Sequence, residues 1–459
     1  MPVPKGNGIE MPKTIFAAAL LVGACLHAAP AFAQPQDAAA LAAELAAMRA
    51  KIESLEAKVK ELEGAQQKSA AAVPSWKGAP QLEDKRSGWS FKPIGRLQYD
   101  VGHVGSPPGV NDRGLGFASE LRRARLGAEG TIPGGFGYKF EVEFADNEVE
   151  VTDATLSYEA SKNFGVTIGQ HNNFQSLEEV TSSRFLSFME RAAFTDAFGF
   201  ERRVGLSARF SGGDVIANAG LFTANIEDLS NAQDAVGLGD ENEAVSADAR
   251  LVYAPKAGNT QLHLGGSAHY RDNGGTAERG PATRYRQRPF IHTSNTRFLA
   301  TPGLRVESET NYGLEAAFIN GPLHATGELH WLRANTLTPG RNPTFFGGYA
   351  EIGYFFTGET RGYRGGRWDR PKVLKPVGEG GFGALQLNLR FDHLDLTDGA
   401  IIGGEQNGYE ASLLWIPQDH VRFYLNYGRM QYEDAALPAA GGDRDYGIDV
   451  FGARAQVDF

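Results

Sequence analysis

Arginine recurs in this sequence beside apolar residues, and its chemistry suits small oxyanions. In "GRLQYD", Arg96 precedes Leu97. In "LNLRF", Arg390 lies between Leu389 and Phe391. The planar guanidinium group donates two parallel hydrogen bonds to a phosphate or carboxylate group and stays charged in almost any surroundings. The sequence therefore contains anion-binding groups, and the fold determines which of them lie close together.

Composition indicates many short strands and argues against nucleic-acid binding. The motifs in the sequence do not indicate catalysis. The chain has 57 glycines in 459 residues, nearly twice the number that an average usage of about 7% would give. A formal net charge of -10 leaves no excess of basic residues to neutralise a phosphate backbone. His263 and His269 have no matched carboxylate or thiol for a metal, and "GGEQNG" lacks the strand-to-helix context of a phosphate loop. We predict no enzyme activity, no metal and no cofactor.

The N-terminus has the layout of a secretory signal peptide. Reading from Met11, a lysine precedes an apolar run, and "AFA" ends at Ala33 before Gln34, which is typical of a cleavage site. The run is too short to span a membrane as a helix. We assign residues 1–33 to the signal and take Met11 as the true start. Lipidation of Cys25 is the alternative; cleavage after Ala33 would leave a mature chain without cysteine.

A short coiled coil follows the signal, in residues 37–64. Its apolar residues are spaced alternately by four and three: Leu41, Leu45, Met48, Ile52, Leu55, Val59 and Leu62. Charges at the flanking heptad positions are opposite between parallel neighbours, so we predict self-association rather than a helix lying on its own domain. Isoleucine and valine at the a positions favour a coiled coil of two helices, and a coiled coil of three helices is the open alternative. Residues 65–87, with Pro74 and Pro80, are predicted to be a linker.

From residue 88 to residue 459, apolar residues recur at every second position. In "GALQLNLRFDHL" and "VRFYLNYG" apolar and polar residues alternate, and the chain ends in the same way with "FGARAQVDF". Sixteen such segments can be counted, most of them about ten residues long. A soluble β-sandwich with one solvated face also shows this alternation. The length of the segments, their aromatic faces and the preceding signal favour an outer-membrane barrel.

The connections between these segments alternate between short and long, which supports the barrel. Short links such as "PGGF" and "SGGD" fit periplasmic turns, and the long links fit external loops. The joint at 358–381 is too long for such a turn, so either the count slips there or the joint is an insertion. We predict an all-β fold, a transmembrane 16-stranded antiparallel β-barrel preceded by a short N-terminal coiled-coil helix. Its last strand must pair with its first, because lipid tolerates no free edge.

A barrel of this size encloses a water-filled channel, so alternation predicts which arginines line it. Those predicted to face the lumen are Arg96, Arg123, Arg125, Arg203, Arg209, Arg250, Arg390, Arg422 and Arg454. The long loop 171–202 adds Arg184, Arg191 and Arg202. The same strands carry carboxylates, among them Glu141, Glu143 and Asp392. The lumen arginines are therefore either ligands for passing anions or partners of these carboxylates.

Several segments resemble the phosphate-selective porin O and P family. The similarity lies in "LRRARLGAEGTIPGGFGYKFEVEFADNEVEVTDATLSYE", in "GQHNNFQSLEEVTSSRFLSFMERAAFTDAF" and in the terminal "ARAQVDF". The resemblance implies a trimeric, anion-preferring porin whose third external loop folds into the channel. It also implies a basic periplasmic segment at 358–381 and recognition of the terminal Phe459 by the barrel assembly machinery. Phosphate-selecting members are expected to have a lysine-rich constriction, whereas loop 171–202 contains no lysine.

We therefore expect a porin of the Gram-negative outer membrane for passive uptake of small anions such as phosphate. Its expected partners are two further copies of the chain, outer-membrane lipid and the assembly machinery. The coiled coil is expected in the periplasm, where the cell wall is a candidate partner. A tether in which the barrel is only an anchor is one alternative, and a general porin of low selectivity is another.

Overall fold

The computed structural model describes residues 35–70, 75–76, 78–84, 86–228, 244–274 and 282–459. The predicted signal peptide, residues 1–33, lies outside the described residues. The chain divides into two units, 1–71 and 72–459, and each is described by itself below.

The N-terminal unit contains one helix, α1 (Pro35–Ala70), which continues past Gly64. Its heptad residues from Leu45 to Leu62 are more than half exposed in the single chain, from 51% for Leu45 to 66% for Leu62. The exposed apolar stripe is what a helix that pairs with another copy would present. Self-association of α1 stays a prediction. Among the described residues, no helix has both the length and the apolar character needed to cross a membrane.

The second unit is a closed antiparallel barrel of sixteen strands, which confirms the predicted fold class. Each strand pairs with the next, and the last pairs with the first from Val450 opposite Val104 to Asp458 opposite Arg96. The strands are β1 (Trp89–Val104), β2 (Gly116–Ile132), β3 (Phe136–Glu143), β4 (Glu150–Glu159), β5 (Phe164–Asn172), β6 (Arg202–Gly212), β7 (Val215–Phe222), β8 (Val245–Tyr253), β9 (Thr260–Asp272), β10 (Val306–Asn320), β11 (Leu323–Thr336), β12 (Thr344–Phe355), β13 (Ala384–Asp395), β14 (Glu405–Gln418), β15 (Val421–Glu433) and β16 (Tyr446–Asp458).

Side chains alternate between the outer and inner faces of these strands. On β13, Leu389 is 50% exposed on the outer face, whereas Arg390 is 4% exposed on the inner face. The inner face is covered because loops fill much of the barrel. The alternation read from the sequence therefore separates a lipid-facing apolar surface from a polar interior.

The connections confirm an insertion rather than an error in the strand count. One end of the barrel has tight turns, such as the one at Gly134 and Gly135, whose φ values of 90° and 91° favour glycine. At this same end, residues 356–383 join β12 to β13. This 356–383 insertion contains a small hairpin, Gly362–Arg364 with Arg367–Asp369. Residues Pro80–Asp84, in the range predicted to be a linker, form a strand that pairs with β1.

The C-terminal residue completes the closure. Phe459 donates its backbone N–H to the carbonyl of Gly95 and accepts from the N–H of Gly95, at 3.0 and 3.1 Å. Its ring lies so close over Gly95 that a Cβ there would be 2.2 Å from the Cζ atom of the ring. The glycine in β1 and the aromatic terminus therefore fit each other on the outer face.

This fit generates a prediction for Phe459→Ala. We expect fewer heat-resistant, trypsin-resistant oligomers, because the variant loses ring contacts at the strand pair that closes the barrel. Gly95→Leu should have the same effect by displacing the ring. The measurement is the mobility of unheated samples on a denaturing gel. Val457→Ala, which alters the outer face of the same strand, is the control. Normal oligomer yield in both Phe459→Ala and Gly95→Leu would contradict the closure role.

Candidate functional site

The loop between β5 and β6, residues 173–201, lies inside the barrel. This inserted loop contains two short helices, α2 (Leu177–Val180) and α3 (Ala193–Ala197). Phe188, Met189 and Phe194 in it have no exposed surface and belong to the main apolar cluster of the unit. The core of the barrel therefore lies between the inserted loop and the inner wall.

Hydrogen bonds to the wall hold the inserted loop in place. The backbone N–H groups of Leu177 and Glu178 both donate to the Glu328 carboxylate at 2.8 Å. Ala193 N–H donates to Asp392 at 2.8 Å. On another side of the loop, the Ser412 hydroxyl donates to the carbonyl of Ser187 at 2.7 Å. These anchors fix the loop across the lumen and make it the constriction.

A second loop, residues 273–305 between β9 and β10, also enters the barrel mouth. Within its described part, Ile291 and Phe298 are completely buried, and His292 contacts the Glu120 carboxylate on β2 at 2.9 Å. The sequence pattern predicted an external loop here and not this inward fold. Alternating apolar residues mark strands, but they do not mark a loop that folds inward.

A cavity of about 290 Å³ lies between the two loops and the wall. We call it the constriction cavity. Its charged lining consists of Arg122, Arg123, Arg191, Arg288, Glu179, Glu190, Asp196, Glu201, Asp392 and Glu410, with His292 beside them. Two of the predicted site residues, Arg123 and Arg191, are brought together here. Within the described ranges, no three histidine, cysteine, aspartate or glutamate side chains are grouped as a metal site would require.

Three arginines converge on Glu190 in this cavity. Arg122 contacts its carboxylate at 2.9 Å, Arg454 at 2.7 Å and Arg123 at 3.9 Å. Burial by itself would raise the pKa of Glu190, but the three guanidinium groups hold it well below its usual range. Glu190 therefore stays ionised, and the arginines around it outnumber it, although Arg454 is also paired with Asp100 at 2.6 Å.

Glu179 and Arg191 form a second pair within the inserted loop, at 3.1 Å. Burial raises the pKa of Glu179 against the opposing charge of Arg191. Arg191 also donates to the backbone carbonyls of Glu178, Glu179 and Thr181. Arg191 is thus engaged mainly in holding the loop together.

Most of the other predicted arginines also pair with carboxylates, as the alternative reading of the sequence allows. The contacts are Arg96 with Glu141 at 3.5 Å, Arg125 with Glu143 at 2.7 Å, Arg202 with Asp153 at 3.5 Å, Arg203 with Glu201 at 2.9 Å, Arg209 with Glu159 at 3.1 Å, and Arg390 with Glu178 at 2.5 Å and Glu351 at 2.9 Å. Arg184 differs, because its Nε donates to the Ser182 hydroxyl at 3.1 Å and its guanidinium lies over the Phe185 ring.

Arg122 reaches the cavity because β2 contains a bulge. Gln98 pairs with Arg123 and Tyr99 with Leu121, so the register shifts at Arg122. Strict alternation places Arg122 in lipid, where an arginine is costly. Two adjacent arginines in a predicted strand were therefore a usable signal for the bulge.

Residues 91–459 match the phosphate-selective porin O and P family. The chain belongs to this family. The family and the closed barrel together indicate an outer-membrane porin channel rather than an enzyme.

The chain is similar to two bacterial proteins and to a solved porin. An uncharacterised protein of Caulobacter vibrioides is 47% identical over 480 residues, covering 97% of this chain and 96% of its own. Porin O of Pseudomonas aeruginosa is 25% identical over 357 residues, covering 71% of this chain and 77% of its own. The solved anion-selective porin from Comamonas acidovorans aligns at a TM-score of 0.47 with 15% identity, covering 81% of this chain and 100% of its own.

The cluster around Glu190 generates a prediction for the porin. Glu190→Gln removes the carboxylate that three arginines share, so we expect the reversal potential in a salt gradient to shift toward anions. Two unit charges about 4 Å apart interact with about 1 kcal/mol in water. We therefore expect the ratio of anion to cation permeability to change by about fivefold. Glu159→Gln, at the exposed turn end, is the matched control and should leave the potential unchanged. A shift toward cations in Glu190→Gln would contradict the assignment.

Proposed function

We propose that the chain is a porin for passive uptake of small anions, with phosphate or related oxyanions as the substrate class. The observation that carries this proposal is the convergence of Arg122, Arg123 and Arg454 on Glu190 of the inserted loop. A charged ring at a constriction selects ions of the opposite sign. The guanidinium groups around Glu190 therefore favour anions, against the wall carboxylates Asp392 and Glu410 that also line the cavity.

The other carboxylates of the inserted loop are also paired with arginines. Glu201 meets both Arg203 and Arg271, at 2.9 and 3.7 Å. Asp196 meets Arg288 at 3.4 Å. Each of these acids faces at least one arginine and Glu190 faces three, so the acids of the loop are paired, while the lining of the cavity as a whole contains four arginines and six carboxylates. Pairing of the loop acids supports anion preference, whereas the number of carboxylates in the lining favours a general porin of low selectivity.

A planar-bilayer measurement on the purified protein tests this proposal. Under a potassium chloride gradient we expect the reversal potential to have the sign of chloride permeation. Phosphate added on one side should reduce the chloride current, because its oxygens accept paired hydrogen bonds from arginine. Cation preference would contradict anion uptake. Anion preference without block by phosphate would favour the less selective porin, and absence of conductance would favour the tether.

We propose further that the protein is a homotrimer, that Phe459 acts as the assembly signal and that α1 forms a parallel coiled coil in the periplasm. Support comes from the apolar stripe of α1, which is exposed in the single chain. Opposite charges flank this stripe, as in helices that associate in parallel. In this arrangement the barrel conducts, and the coiled coil adds contacts between copies and a surface for the cell wall.

Deleting residues 38–63 tests the independence of the coiled coil from the pore. We expect unchanged single-channel conductance, because the barrel closes through β1 and β16 without α1. Ile52→Asp in the full chain should weaken cross-linking between helices, whereas Glu53→Ala, off the apolar stripe, should not. Loss of the channel on deletion would show that the helix is required for the pore itself.

A further inference from the structure

Phe185, in the inserted loop, is surrounded by arginines from three parts of the chain. The guanidinium carbons of Arg184 and of Arg370 in the 356–383 insertion are each 5.1 Å from the centre of its ring. That of Arg422 on β15 is 5.4 Å away. Arg361 of the insertion donates Nη2 to the Phe185 carbonyl at 2.7 Å. We call Arg184, Arg361, Arg370 and Arg422 the Phe185 arginine cluster.

Negative charge is scarce around this cluster. Asp458 on β16 forms an ion pair with Arg370 and also attracts Arg422 and Arg184 at longer range, and Glu351 on β12 is engaged by Arg390 at 2.9 Å. In the part of the chain that the structure describes, no carboxylate oxygen lies within 4.0 Å of the side-chain nitrogens of Arg184, Arg361 or Arg422. The cluster therefore carries more positive charge than its neighbours neutralise.

The central member, Arg422, is 1% exposed. No protein atom in the described ranges accepts a hydrogen bond from its Nε and Nη2, nor from Nε of Arg361. Stacking on Phe185 is favourable for a cation but supplies no acceptor. Burying guanidinium donors without hydrogen-bond acceptors is unfavourable. Burial, together with the charge of Arg422 acting against that of Glu351, lowers the pKa of Arg361 to about 10.

We propose that the Phe185 arginine cluster binds one small oxyanion, of the class of inorganic phosphate or sulfate, as an exchangeable structural ligand. Its oxygens would accept the hydrogen bonds that Arg422 and Arg361 cannot make within the protein. The ion would also join the inserted loop, the insertion and β15, because each contributes a guanidinium group. Since Arg422 is buried, the ion is retained rather than transported, so the inference goes beyond the proposed function and does not depend on it.

The test is the thermal midpoint of the full chain, purified in detergent without multivalent anions. Added inorganic phosphate should raise the midpoint saturably, by about 3 °C or more, as expected for a ligand that binds only the folded state. Chloride at equal ionic strength should not. Arg422→Met should abolish the shift. Arg429→Met is the matched control, because it changes an exposed arginine of the same strand that pairs with Asp449 at 3.0 Å, and it should retain the shift.

Three outcomes would overturn the inference: equal protection by phosphate in Arg422→Met and the wild type, equal protection by chloride and phosphate, or no protection of the wild type by phosphate. If Arg422→Met does not fold, Arg361→Met in the insertion gives the same reading. Conductance separates this result from the proposed function. A cation-selective channel that phosphate still stabilises would refute anion uptake and leave the structural ion supported.

Discussion

Closure of the hydrogen-bond ladder between β1 and β16 is the constraint on which the rest of the structure depends. Lipid offers no partner to a free strand edge, so the wall must be complete before any interior exists. The reciprocal bonds between Gly95 and Phe459 bring the ladder to the last residue. Once the wall is closed, apolar side chains face outward and polar ones inward. The charges are thereby confined to a space where only loops can cover them.

Because loops bury the charged side chains of the inner wall, these side chains must form ion pairs. The ion pairs in turn hold the loops in position. Arg454 bonds to Asp100 across the β1–β16 seam at 2.6 Å and to Glu190 of the inserted loop at 2.7 Å. Arg390 connects the wall to Glu178 in the same way. One set of interactions thus joins strand closure, loop placement and the electrostatic potential of the constriction. A change in one of these arginines acts on stability and on selectivity together.

The sequence predicted the wall much better than the interior. Every strand was detectable because lipid on one side and polar groups on the other impose a period of two. The bulge at Arg122 was missed because alternation describes only regular pairing. Burial of Ile291 in the second loop was missed because loops have no comparable period. Which carboxylate meets each arginine, such as Glu178 for Arg390, depends on distances across the lumen that sequence spacing does not encode.

The interior arginines fall into two environments that suit different tasks. In the constriction cavity, carboxylates such as Glu190 pair with them, so an anion permeating as proposed would compete with these carboxylates for the guanidinium donors. Conduction requires this, because an ion must bind weakly enough to leave. Around Phe185, donors on Arg422 and Arg361 are buried without acceptors among the described residues, an arrangement that favours retention of an anion. The placement of the carboxylates, more than that of the arginines, therefore distinguishes a path for anions from a site that holds one.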